Sequence, residues 1–259
     1  MEISFVSHNF SDNIDESIAF AKKNNLKYIE IETINGKNIT EFSFEELAKI
    51  SNKISSQGLL VSCISSPFLK WNISENNFKI CEQPVDSEEI YFTKLMDIAD
   101  IFGSPNIRIY SYLKTDITIE NLAQKLDTYS QMALDRGINI LLENDGLCNI
   151  DTIHNMHQLF ELFNFSNIFP LLNMGTTVAI ADNYNPQELQ DIINNCQYFH
   201  IKDYDSELNR NVVIGEGDVD YETILSDKLT DNATIISVAP STGYSEDLQM
   251  SLNMLMAIE

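Results

Sequence analysis

Residues 198–225, YFHIKDYDSELNRNVVIGEGDVDYETIL, decide how the chain is read. They open as a short apolar strand whose last inward positions are His200 and Lys202, since residues two apart share a strand face. A polar loop follows, then the turn Gly215-Glu216-Gly217, then a helix start. A histidine and a lysine on one face at a strand's carboxyl end are costly unless something uses them.

The same unit recurs along the chain. Short apolar, β-branched runs predict strands at 3–7, 28–32, 59–64, 106–111, 138–143, 168–173, 198–202 and 234–238. Amphipathic stretches lie between them. One helix begins near Asp12, and another opens at Ser43 with Glu46 at capping-box spacing. Helices over 86–102 and 118–136 stop at Gly103 and Gly137, where glycine suits the left-handed position past a helix end. Further helices fit 152–163, 186–195, 221–229 and 246–258, with Pro186 in a first turn. Strict alternation implies parallel strands with right-handed crossovers. Eight such units predict a (β/α)8 TIM barrel, one domain over residues 1–259. The longest connection, 65–85, holds the sole tryptophan, Trp71, which either covers a ligand or pins the loop.

The composition fits this. The chain has 259 residues, 44% hydrophobic and 21% charged, enough for one sizeable core. The net charge of -23 argues against nucleic acid and anionic membrane surfaces as partners. Cys63, Cys81, Cys148 and Cys196 show neither metal-ligand nor redox spacing. MEISFVSHNF lacks a basic leader segment, and no apolar run suits a bilayer, so a cytoplasmic location is expected. A homo-oligomer is compatible with the chain. No glycine-rich phosphate loop is present, so no nucleotide cofactor is expected.

In such a barrel the chemistry sits at the carboxyl ends of the strands. Those ends carry His8, Glu30, Glu32, Ser65, Tyr110, Tyr112, Glu143, Asp145, Asn173, His200, Lys202 and Ala239. Glu143 and His200 converging on one mouth are the strongest candidates.

The motifs YIEIE (28–32), IRIYSY (107–112), ILLENDG (140–146), LLNMG (171–175), FHIKD (199–203), IGEGDVDY (214–221) and ISVAP (236–240) run across essentially the whole chain. In order and spacing they resemble the xylose isomerase-like barrel superfamily of sugar isomerases and epimerases, which also includes endonuclease IV. The resemblance implies a sugar, polyol or keto-acid ligand, and a divalent cation such as Mn²⁺ or Mg²⁺ held by Glu, Asp, His and Glu. Glu143 and His200 match that set, whereas Asn173 stands in place of the aspartate and Ala239 in place of the second glutamate. Three carboxylates become one. A metal site of Glu143, His200 and Asn173 is therefore expected to be weak or absent.

The family's epimerases use two glutamates on opposite faces of a carbon, and Ala239 removes one. One-base chemistry remains open, with Glu143 as base and His200 and Lys202 stabilising the oxyanion. The remaining substrate-binding candidates are His8, Glu30, Tyr110, Asn173, Arg210, Glu216 and Trp71. Endonuclease chemistry is disfavoured by the acidic chain and by having only four histidines, two of them (His154 and His157) on a predicted outer helix. Two readings stand: an isomerase-like enzyme working by proton transfer next to a carbonyl, or a non-catalytic sugar-binding descendant.

Overall fold

Eight strands form one parallel sheet: β1 (Glu2–Phe5), β2 (Tyr28–Ile31), β3 (Leu60–Ser65), β4 (Asn106–Ile109), β5 (Asn139–Glu143), β6 (Ile168–Asn173), β7 (Tyr198–Ile201) and β8 (Ile235–Val238). Their spatial order is β1-β8-β7-β6-β5-β4-β3-β2. A parallel bridge between Val6 and Glu30 brings β1 to β2, giving a nearly closed barrel. The computed structural model describes residues 2–226, 228, 234–240, 242 and 245–258. The predicted (β/α)8 barrel is the observed fold.

The helices are α1 (Ile14–Lys23), α2 (Phe44–Ser55), α3 (Glu88–Phe102), α4 (Ile119–Leu134), α5 (Ile153–Leu162), α6 (Met174–Ala179), α7 (Pro186–Asn195), α8 (Tyr221–Leu225) and α9 (Ser245–Ile258). Local chemistry sets their ends. Ser43 and Glu46 form the expected reciprocal capping box on α2. Gly103 ends α3 at φ 60°, and Pro186 occupies the first turn of α7. Helix α4 stops at Leu134, two residues before the expected end. The expected helix over 221–229 is observed to Leu225, and residues 227 and 229 of it lie outside the described residues. Among the described residues no helix is long and apolar enough to cross a membrane. The four cysteines are buried free thiols.

The main apolar core lies between strands and helices. Inside the barrel a small cluster of Cys63, Leu141, Leu171 and Tyr198 is joined by a polar layer. There Ser4 and Ser62 hydroxyls lie 2.8 Å apart, and Ser62 lies 3.0 Å from the Tyr198 hydroxyl. Buried hydroxyls need partners, and this chain of hydrogen bonds leads upward to the site.

The connection over 65–85 is not structureless. It carries an antiparallel hairpin, Phe78–Ile80 with Gln83–Val85. Trp71 packs against Phe68, Phe78 and Tyr91, and its indole N–H donates to Glu88 Oε1 at 2.9 Å. Glu88 Oε2 also accepts from the hydroxyls of Tyr112 (2.6 Å) and Tyr129 (2.8 Å). Of the two roles considered for Trp71, this is the loop pin.

Candidate active site

The buried centre is a row of alternating charges along the inner faces of β2, β7, β5 and β4. His200 lies between two carboxylates, with Nε2 2.8 Å from Glu30 Oε1 and Nδ1 3.0 Å from Glu143 Oε1. Glu30 is fully buried at a register irregularity of β2, which is how a bulge re-aims a side chain. It also accepts from the Ser65 hydroxyl and from the Tyr198 hydroxyl at 2.7 Å. Glu143 Oε1 accepts a second bond, from Asn173 Nδ2 at 2.8 Å. Its other oxygen, Oε2, lies 3.3 Å from Arg108 Nε. The Arg108 Nη2 reaches Glu32 Oε1 at 3.2 Å, and the guanidinium lies 4.4 Å from the Tyr110 ring centre.

Each charge is held by the next. Burial alone would lower the His200 pKa, but Glu30 and then Glu143 outweigh it and raise it to about 9. Burial would likewise raise Glu30, and His200 brings it down to about 2. Glu143 is held well below the usual carboxylate range, against its burial, by His200 and then Arg108.

A stability prediction follows from the histidine proton. The folded pKa lies above the ordinary 6.5, so the stabilisation is fully present below 6.5 and is lost as pH rises through about 9. The stability gap between wild type and His200→Gln should therefore narrow across that window. Urea unfolding at several pH values measures it, and a gap independent of pH would contradict the arrangement.

Above this row opens a polar cavity of about 260 Å³. The predicted residues His8, Tyr110, Glu143, Asn173, His200 and Lys202 all line it, as does Ala239. Glu30 does not; it lies beneath, behind His200. Arg210 and Glu216 line a different cavity with Tyr204 and Asp247, and Trp71 is held in its loop. These three were expected to bind substrate; none of them lines the mouth cavity, and Arg210 lies in a hairpin of Asp203–Asp205 with Arg210–Val212 that follows β7. The mouth also gains Arg108, Lys70, Asn9 and Thr176, which the sequence reading did not name. Lys70 is paired with Asp145 at 2.6 Å. Lys202 Nζ has no ion-pair partner among the described residues.

The loop after β7 is fixed from below by Asp203. Its buried carboxylate accepts backbone N–H bonds from Gly215 (2.9 Å), Gly217 (3.1 Å) and Val219 (3.2 Å). A Cβ on Gly217 would collide with Asp203 Oδ1 and lie 2.6 Å from the Tyr204 carbonyl oxygen. Gly217→Ala should thus destabilise by about 3 kcal/mol, the upper end for overpacking. Urea denaturation tests this, and a loss below about 1 kcal/mol would mean the loop yields freely.

The donor set does not fit a divalent metal. Both His200 nitrogens already face carboxylate oxygens. Asn173 turns its amide nitrogen to Glu143 and its oxygen to the Thr176 N–H at 3.1 Å, capping α6. Its backbone is braced by Asn144, which accepts from Asn173 N at 2.8 Å. Ala239 supplies no side-chain ligand. Among the described residues no group of three His, Cys, Asp or Glu is arranged to hold a metal ion.

The family profile described as xylose isomerase-like TIM barrel matches residues 18–243, and the chain belongs to that family. Three solved structures illustrate the shared fold. The IolI protein with a bound zinc atom aligns at a TM-score of 0.76 and 15% identity, over 100% of this chain and 98% of that one. The probable 3-DHS dehydratase AsbF from Bacillus anthracis aligns at 0.76 and 16%, over 99% of each chain. D-allulose 3-epimerase from Methylomonas sp., in complex with D-allulose, aligns at 0.74 and 15%, over 100% and 97%. No curated protein matches the chain by sequence.

Proposed function

We propose that the mouth binds a small sugar or keto-acid and moves a proton next to its carbonyl, as an isomerase-like enzyme with one base. The observation that supports this is the buried cavity-lining carboxylate of Glu143, flanked by His200 and Arg108, whereas Glu32 and Asp145, the other acids of the lining, are more exposed. Glu143 Oε1 is engaged twice, so Oε2 is the oxygen available to a substrate proton. The substrate C–H bond breaks, its electron pair forms a C=C bond, and the carbonyl pair moves onto oxygen. Lys202 Nζ and the Arg108 guanidinium stabilise that oxygen. The proton returns to the neighbouring carbon and the hydroxyl proton crosses to the other oxygen, which completes an aldose–ketose exchange on one face. With alanine at position 239, a second base on the opposite face is not part of this scheme.

A second reading rests on a specific observation as well. Glu143 is held by two hydrogen bonds at Oε1, from Asn173 and His200, and by the Arg108 charge 3.3 Å from Oε2, which suits a rigid binding site without turnover. The two are separated by incubating a panel of aldoses, ketoses and short keto-acids with the protein in deuterated water plus chelator. Deuterium appearing at the carbon next to the carbonyl supports the enzyme. A ligand that raises the melting temperature yet shows no exchange supports the binding protein.

A further inference from the structure

We infer that Arg108 is the resident cation of the mouth, taking the charge-neutralising place that the family resemblance gives to a divalent metal. Three observations carry this. Arg108 is 2% exposed and joins two carboxylates, Glu32 at 3.2 Å and Glu143 at 3.3 Å. A buried guanidinium is a permanent charge that needs such partners. Second, the positions that would have brought further carboxylates are Asn173 and Ala239, so less positive charge is needed there, and Arg108 supplies it alongside His200. A dication added beside Arg108 would meet like charge with no new oxygen ligand to offset it. Third, the buried Arg108 Nε–H has no hydrogen-bond partner among the described residues, its approach to Glu143 being misaligned. An unpaired buried N–H is costly. In a residue lining the cavity it is a donor reserved for a ligand oxygen.

The replacement is therefore mutual: loss of two acidic ligands and an arginine in the gap belong together. This holds whether or not Glu143 moves a proton, because it concerns the charge of the resting site. It also distinguishes the chain from a metal enzyme caught without its ion. There the empty site would hold mutually repelling carboxylates; here the carboxylates are already compensated.

The test uses Mn²⁺ alone, with bound metal read by elemental analysis after equilibrium dialysis. Wild type should retain none above the dialysis blank. Asn173→Asp with Ala239→Glu, Arg108 kept, should still retain little. Adding Arg108→Met to that pair should give near-stoichiometric Mn²⁺ and a melting temperature that rises with the metal. That variant is purified in Mn²⁺, since its acids lack a counter-charge without it, and Arg108→Gln replaces Arg108→Met if the latter is insoluble. Near-stoichiometric Mn²⁺ in the wild type would overturn the inference. So would Mn²⁺ bound as tightly with Arg108 present as without it, or a folded Arg108-less variant that carries none. Failure of the deuterium-exchange experiment would leave these outcomes unchanged, so the two readings fail separately.

Discussion

Arg108→Met should cost the fold roughly 3–5 kcal/mol, the range for breaking a buried ion pair by removing one partner. For a chain of this size that is a fall in melting temperature of roughly 6–20 °C. The arginine itself is almost fully buried, and its removal leaves Glu143 beside His200 alone and Glu32 without its 3.2 Å partner. Methionine fills much of the volume, so the loss reports charge rather than a cavity. Arg108→Lys should recover only part, because an ammonium cannot reach both carboxylates with a planar fork. In a double-mutant cycle, Arg108→Met with Glu143→Gln should cost less than the two single losses added together. A loss for Arg108→Met below about 1 kcal/mol would mean that the carboxylates relax into water, and the row of alternating charges would then be a minor term.

Arg108 does not stand out as a site residue in the sequence. Within IRIYSY it sits between Ile107 and Ile109 in a strand buried on both faces. Such a position is itself the signal, since a buried arginine must be paired. The barrel was legible because parallel strands covered by helices read as continuous apolar runs, and because the ends of α2, α3 and α7 carry explicit cap chemistry. The inward strand-end residues Glu143, Asn173 and His200 were legible by period two. Loop residues were not. Lys70 and Asn9 reach the mouth from connections whose paths depend on tertiary packing, and Thr176 from the short α6, while Arg210 and Glu216 line another cavity. The short α6 has no apolar period to announce it, and its N-cap, Asn173, is also a mouth residue. One hairpin could have been found, because Asn35-Gly36 is a strong turn signal between Thr33–Ile34 and Lys37–Asn38.

Glu143→Gln should lower the rate of deuterium exchange into a responsive sugar or keto-acid by ~10²–10⁴, the contribution typical of a positioned general base. The stability loss should be smaller than that of Arg108→Met. The asymmetry comes from the partners left behind: without Glu143, His200 keeps Glu30 at 2.8 Å and Arg108 keeps Glu32 at 3.2 Å. Each cation retains one carboxylate, whereas loss of Arg108 strips charge from two acids at once. Lys202→Met supplies the complementary control. Lys202 has no ion pair among the described residues, so its removal should leave stability within about 0.5 kcal/mol. Exchange should nevertheless fall ~10²-fold if the ammonium holds the developing oxyanion. Exchange that survives Glu143→Gln unchanged would move the base elsewhere in the mouth, to Glu32 or Asp145. A wild type that binds ligand without exchange, and loses that binding in both variants, would make the same residues a recognition site for a polar ligand.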